Sequence, residues 1–413
     1  MATVNLKEVM EAVQKKIYTA DSSTSNLQDL IYLLKGAKRG DGTMVQQVAS
    51  TSSLPDLTDS AADTEMIAFV QDEGKLYFKQ DSSGTTVWKT YESPPGNPLS
   101  PLQAASNHGY SAMGISPSAS PNARSHIERF DFSSSVTSSN IGTLSTTYLA
   151  SQAAGNSSST HGFVTGGRTH PTSPLHPVTN LQEIFSFPFA ASSSGTDVGN
   201  LTDGNALSLG NTSSPTHGYI GGATKTGSLS PPYPSTDVVS KYPFSSPHAE
   251  SLVGDLTQGR YLAAGCSSAD NVYWAGGGAP GTRKTIDKIP VTTDANATDV
   301  GDLIEGHRFG ASASSSTHGY TSAGLGEPDG PSNPNAIEKF SFASDGNATD
   351  VGDVTQTNND ASQGWSGGTH GYRAGGSPSV NYIDRWAFAS DGNATDVGDQ
   401  GAQGYEYQTG HSN

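Results

Sequence analysis

One phrase recurs six times along this chain and fixes how it can fold. Each copy opens near Thr/Asn-His-Gly-Tyr followed by Gly-Gly, continues with a segment like Ile-Glu-Lys-Phe-Ser-Phe, and closes near Ala-Thr-Asp-Val-Gly-Asp. The opening landmark falls at His108, His161, His217, Asn271 in place of His, His318 and His370, so the period is 47 to 56 residues. A period of that size implies an array of like units, each covering the apolar face of its neighbour. The register within a copy is tighter than the period. The last aromatic or aliphatic residue of the middle segment precedes a landmark Gly by ten positions in Phe132/Gly142, Phe189/Gly199, Phe244/Gly254, Val291/Gly301, Phe342/Gly352 and Phe388/Gly398. Length variation therefore falls elsewhere, mainly between the Gly-Gly and the middle segment, as in 169–179 and 225–236. Connecting segments at a surface tolerate such growth.

Apolar residues at near-alternate positions in His-Gly-Tyr-Val-Thr and Ile-Glu-Lys-Phe-Ser-Phe suit half-buried strands, and no copy holds a stretch with helical spacing. Gly, Ser, Thr, Pro and Asn separate the segments, and Asp-Gly-Asn at 345–347 and 391–393 is turn chemistry. Three or four short strands at a period near fifty predict an all-β, six-bladed kelch-like β-propeller, preceded by a small α+β N-terminal attachment region. These motifs resemble the kelch-like repeat proteins of tailed phages of marine bacteria, over about residues 100–413. A closed ring needs its last strand supplied from the other terminus, since an open blade edge stays unpaired. The tail, Gly401 to Gly410, is expected to complete the first blade; an open superhelical array is the rival arrangement.

Residues 1–92 are of another kind. Leu6, Val9, Met10, Val13 and Ile17 follow helical spacing behind an Asn5 cap, and Leu27, Leu30, Ile31 and Leu34 line one face of a second helix ending at Gly36. Met66–Val70, Lys75–Lys79 and Thr85–Tyr91 read as three strands joined by turn sequences. The expected organisation is a helical anchor at 1–44, a small β module at 45–92 with a generic likeness to the modules that open phage fibre proteins, a Pro-rich linker at 93–107 and the array at 108–413. Repeated prolines favour a stiff spacer. Two such helices cannot build a core alone, so their apolar faces are expected to meet each other, the segment after them or a partner.

Composition excludes several roles. With 22 Lys and Arg against 39 Asp and Glu, the formal charge is −17, and no basic run exists to hold a nucleic acid backbone. The single cysteine, Cys266, allows no intrachain disulfide and no cysteine metal site. No apolar stretch is long enough to span a bilayer, and the first eight residues do not read as a signal peptide, so the chain is expected to be made without membrane insertion.

Chemistry-bearing residues each have a plainer structural reading. The repeated His108, His161, His217, His318 and His370 would circle a common axis and offer a metal ring, but one His per copy at a strand start reads better as a hydrogen-bonding residue tying neighbouring blades. The landmark glycines Gly142, Gly199, Gly254, Gly301, Gly352 and Gly398 read as repeat-structural. Asp345-Gly-Asn-Ala-Thr-Asp350 and its echoes place oxygens at short spacing as calcium sites do, yet lack the EF-hand Gly and Glu, which favours a turn held by its own Asn and Asp side chains. Tyr233, Trp274, Trp365 and Trp386 are sugar-stacking candidates or blade packing. The arginines of the array occupy different repeat positions, and no Ser-His-Asp set or carboxylate pair stands out, so no catalytic residue, cofactor or metal site is assigned.

The resemblance implies a non-enzymatic virion structural protein, a tail- or head-associated fibre or appendage docked on other virion proteins. By analogy with phage fibres a homo-oligomer is expected, a trimer first. The alternative implied role is binding a host surface glycan or receptor during adsorption.

Overall fold

The computed structural model describes 46–48, 67–70, 75–82 and 85–90, and then 108–412 except 116–124, 133–135, 146–149, 170–179, 191–192, 203–204, 207–211, 226–234, 280, 323, 326–334, 357–362, 377–379 and 402–405. The chain forms two compact units, Met1–Gly96 and Asn97–Asn413. In the first, Ile67–Val70, Lys75–Ser82 and Thr85–Thr90 form an antiparallel meander, close to the three strands expected. A further strand, Gln46–Val48, pairs parallel to Ile67–Val70. The helices expected within 1–44, with their attachment residues, and the linker at 93–107 lie outside the described residues.

The second unit is an all-β, six-bladed propeller. Naming the strands of each blade a to d from the axis outward, blade 1 has Thr409–Ser412, His108–Ala112, His126–Asp131 and Ser139–Thr143. Blade 2 has Ala154–Ser157, His161–Thr165, Glu183–Pro188 and Thr196–Asn200, and blade 3 has Thr212–Ser213, His217–Lys225, Ser235–Pro243 and Ser251–Arg260. Blade 4 has Ala264–Ser267, Asn271–Ala275, Thr285–Pro290 and Thr298–Asp302. Blade 5 has Ala311–Ser314, His318–Ser322, Ala336–Ser341 and Thr349–Asp353, and blade 6 has Gln363–Ser366, His370–Ala374, Tyr382–Ala387 and Thr395–Asp399. The a strands touch one another around a complete circle. Closure is as expected from the tail: its final strand pairs antiparallel with the first landmark strand, Thr409 opposite Ala112 and Ser412 opposite Gly109, slightly later than the Gly401–Gly410 stretch.

Five of the six blades close on themselves through a glycine. The Gly of His-Gly-Tyr faces an aromatic ring of strand c in Gly109/Phe130, Gly162/Phe187, Gly218/Tyr242, Gly319/Phe340 and Gly371/Trp386. A Cβ on these glycines would lie 2.3 to 2.7 Å from a ring atom, so no larger residue fits. Blade 4 makes the reciprocal choice, Val272 opposite Ile289. Side-chain volume moves from one strand to the other and the pair is conserved in total bulk.

Blades join through a second aromatic contact. The last apolar residue of the middle segment packs on the landmark aromatic of the preceding blade, as in Phe163/Phe244 at 4.7 Å, Tyr273/Phe342 at 4.8 Å, Tyr320/Phe388 at 4.9 Å and Tyr372/Phe132 at 4.6 Å between ring centroids. Such pairs add about 0.5–1.5 kcal/mol each beyond the area they bury. This contact explains the fixed ten-residue register: the ring, the turn after it and the landmark Gly all belong to one seam.

Because the strands run up and down, the a–b and c–d connections emerge on one face and the b–c and d–a connections on the other. On the first face the c–d connections 132–138, 189–195, 244–250, 291–297, 342–348 and 388–394 have one length. On the second face the b–c connections range from 375–381 to 166–182.

Candidate functional site

Three layers of polar contact build the centre and seams of the ring. Around the axis, one serine from each a strand faces the channel: Ser157, Ser213, Ser267, Ser314, Ser366 and Ser412. At five seams a serine backbone N–H donates to the next serine's Oγ: Ser412 to Ser157 (3.3 Å), Ser157 to Ser213 (3.1 Å), Ser267 to Ser314 (3.1 Å), Ser314 to Ser366 (2.8 Å) and Ser366 to Ser412 (3.2 Å). The channel they enclose holds about 60 Å³, room for water and not for an organic ligand. In five of the six a strands the residue before the serine reaches the next blade. Asn156 Nδ2 donates to Thr212 O (2.7 Å), Thr212 Oγ1 to Cys266 O (2.9 Å), Trp365 Nε1 to Tyr110 O (2.6 Å) and His411 Nδ1 to Asn156 O (2.9 Å). Cys266 plays the same part with its Sγ 3.5 Å from Ala313 O, and burial pushes its thiol pKa up to about 12. It is a packing residue with no thiolate character at neutral pH.

The second layer is a set of acids buried in strand c: Glu128, Asp287, Glu338 and Asp384. Each anchors the segment that leaves the preceding blade. Asp287 accepts from Thr257 N (3.0 Å) and Thr257 Oγ1 (2.6 Å), and Asp384 from Thr355 N (3.1 Å) and Thr355 Oγ1 (2.6 Å). Glu338 accepts from Ile304 N (2.7 Å), while Glu128 takes the Ser138 hydroxyl (2.6 Å), whose oxygen accepts Gly401 N (2.7 Å). Two acids pair with fully buried arginines, Asp287 with Arg260 at 2.8 Å and Asp384 with Arg373 at 4.0 Å. Burial lowers the pKa of both guanidiniums and raises those of Asp384 and Glu338. Hydrogen-bonded and fully enclosed, these acids serve as anchors; removing one partner would strand a buried charge.

The third layer covers the outer edges. In the Asp-Gly-Asn phrase and its echo at 294–302 the later Asp bonds the backbone of its own turn, while the Asn grips the blade behind. Asn296, Asn347 and Asn393 accept the backbone N–H of Asp255, Asp302 and Asp353 at 3.0–3.1 Å. Asp294, Asp345 and Asp391 pair with Lys241, Lys288 and Lys339 of the preceding blade at 2.5–2.6 Å. The landmark glycines make room for this. A Cβ on Gly254, Gly301, Gly352 or Gly398 would meet a carbonyl of the adjoining turn within 2.4 Å, and Gly301, Gly352 and Gly398 hold φ of 150°, 151° and 148°. The Asp two residues before Gly301, Gly352 and Gly398 fixes the bulge, as in Asp299 Oδ1 accepting Gly301 N at 3.1 Å. Gly142 pairs with Ser193 of the next blade, and Gly199 lies 3.7 Å from His248 by the same measure.

The landmark histidines act within their own repeats. Nδ1 of His161, His217, His318 and His370 lies 2.8 Å from Oγ1 of the threonine just before it, and His108 Nε2 lies 3.2 Å from Asp131 of its own blade. The expected tie between blades is thus carried by other residues, and the axis is lined by serines. Burial lowers the pKa of His161, His217, His318 and His370. Trp274, Trp365 and Trp386 are buried packing residues, while Tyr233 lies outside the described residues. Among the described residues no three His, Cys, Asp or Glu side chains gather as a metal cluster.

On the variable face, Leu262, Phe309 and Tyr407 sit just before a strands with φ of 58°, 64° and 58°. Phe309 of blade 5 meets Tyr407 of blade 1 at 5.7 Å, skipping blade 6, which places the pair across the mouth of the channel. Left-handed geometry in bulky residues costs on the order of 1 kcal/mol each and persists only where surrounding packing holds it. Sequence reasoning missed this cap, the serine circle and the buried acids; the recurring Ser two or three residues ahead of Thr-His-Gly and the acid after Ile in strand c were the available signals. Compared with known proteins, the chain matches no family model and is similar to no curated relative.

Proposed function

We propose that this chain is a non-enzymatic display protein of a tailed-phage virion, a fibre or appendage that docks through residues 1–92 on other virion proteins and presents the propeller for recognition. The observation that carries this reading is the asymmetry of the two faces: one has connections of constant length locked into the seams, and the other gathers the variation in connection length. A rigid ring with one variable face is built for contact, and its buried acids and arginines are consumed as anchors. The kelch-like phage motifs supply the virion context, and a homo-oligomer, a trimer by analogy with fibres, is part of the proposal. A host glycan or receptor is the natural target of the variable face. The test is mass spectrometry of purified particles of the encoding phage, followed by immunogold labelling with antibody to residues 97–413. Label at the tail or a capsid vertex is the expected result. Absence from particles overturns the virion reading and leaves a free binding protein.

A further inference from the structure

Blade 3 breaks the repeat at the two positions that face its seam with blade 2. Where blades 1, 4, 5 and 6 bury Glu128, Asp287, Glu338 and Asp384 in strand c, blade 3 has Ser240. Where strand d of blades 2, 4, 5 and 6 carries Asp197, Asp299, Asp350 and Asp396, blade 3 has Leu252, 73% exposed and directly opposite Ser240. The anchoring task passes to Glu250, whose Oε2 accepts Thr202 N of blade 2 at 2.6 Å. Beside Ser240 and Leu252 lies a cavity of about 370 Å³, within the size range of small-ligand sites.

The lining specifies a chemistry. Ile220, Ala223, Val238 and Leu252 supply aliphatic wall, and Ser240 adds a hydroxyl. Glu250 is the one charged side chain among the described lining residues, half-buried and fixed in place by the Thr202 N–H. A carboxylate held at the edge of an aliphatic cavity favours a cation whose remaining surface is methylene, and a chain of net charge −17 favours cations at long range. We propose that the seam between blades 2 and 3 binds a primary alkylammonium group, its nitrogen on Glu250 and its methylenes along Ile220, Val238 and Leu252. Two sources carry this group, a lysine side chain of a partner protein and a free aliphatic amine.

The test uses the full chain with labelled Ile, Leu and Val methyl groups and NMR titration by n-butylammonium, n-butanol and N-acetyl-lysine methylamide. Saturable shifts confined to Ile220, Val238 and Leu252 are expected with butylammonium, with butanol at least tenfold weaker. Glu250→Gln keeps an acceptor for Thr202 N–H and is expected to weaken butylammonium at least tenfold while leaving butanol unchanged. Tighter binding of the lysine derivative than of butylammonium assigns the group to a partner side chain, and the reverse assigns it to a free amine. Equal binding of butanol and butylammonium to the unaltered chain overturns the proposal without reliance on any variant, as does an unchanged affinity in Glu250→Gln.

Discussion

From blade 3 to blade 6 every seam repeats one outer contact: a strand-c lysine on the Asp of the next turn, and that turn's Asn on the strand behind it. On the other arc that contact is absent, and two other means replace it. Val136–Thr137 of blade 1 adds as a parallel strand to the edge of blade 6, Ser193–Ser194 of blade 2 does so on blade 1, and Glu250 reaches from blade 3 to blade 2. What stays constant is that each outer edge is covered, since an exposed edge invites pairing with another chain. The side chains that cover it are interchangeable. The inner layer tolerates less: the serine contact recurs on both arcs, and so does the pairing of one large and one small residue across strands b and c.

The largest expected effect comes from breaking the seam that the two termini share. Deleting residues 406–413 removes strand a of blade 1 and exposes the edge of His108–Ala112, and it should lower the melting temperature by about 10 °C or more in calorimetry. A loss no larger than that from removing a single outer contact would mean that Val136–Thr137 on blade 6 suffices for closure.

Next is the pairing inside a blade. Gly319→Val should cost about 3 kcal/mol in urea unfolding, because its Cβ falls 2.3 Å from the Phe340 ring. Adding Phe340→Ile, which copies the blade 4 solution, should recover at least half of that. Additive losses in the double variant would show that blade 4 differs for another reason.

A comparable effect is expected from acid at the closing seam. His411 is fully buried against Asn156 O and the Phe187 ring, and burial depresses its pKa to about 4. A base whose folded pKa is lowered contributes its full stability above the unfolded value near 6.5, and loses it as pH falls from there toward 4, about 3 kcal/mol over the window. His411→Gln should flatten that part of the denaturant-derived stability profile by about one proton. His307 has the same depressed pKa of about 4 from burial, but the neighbouring Glu338, raised by burial, opposes it on acidification. An unchanged profile in His411→Gln would assign the acid sensitivity to blade 5 instead.

The smallest effects are expected at the regular outer contacts. Asn347→Ala should cost about 1 kcal/mol through the unmet Asp302 N–H, and Lys288→Met less than about 0.5 kcal/mol, because Asp345 is largely exposed. Losses of equal size in urea unfolding would show that the ion pair matters more than its exposure suggests.

Much of this architecture was legible in sequence because it lies within one copy. The period, the strand alternation and the tail that completes blade 1 all follow from spacing. The contacts between copies were hidden: Asn347 and Asp302 are 45 residues apart and meet only once the ring closes. The histidines misled for the same reason in reverse. They are the most visible repeated polar residues, and their hydrogen bonds go to the adjacent threonine. The buried Arg260–Asp287 pair escaped notice because arginine recurs at no fixed repeat position, and each partner is fitted to one seam.

The valine and isoleucine that face each other in blade 4 also bear on how the copies diverged. If the copies arose by duplication from a Gly-plus-aromatic ancestor, two routes lead to Val272 and Ile289. Adding the methyl groups first would drive them into a ring with nowhere to move. Shrinking the ring first leaves a void, a loss of a few kcal/mol that a sufficiently stable ring survives. By either route the intermediate loses a few kcal/mol, so blade 4 could diverge only while the array had stability in reserve.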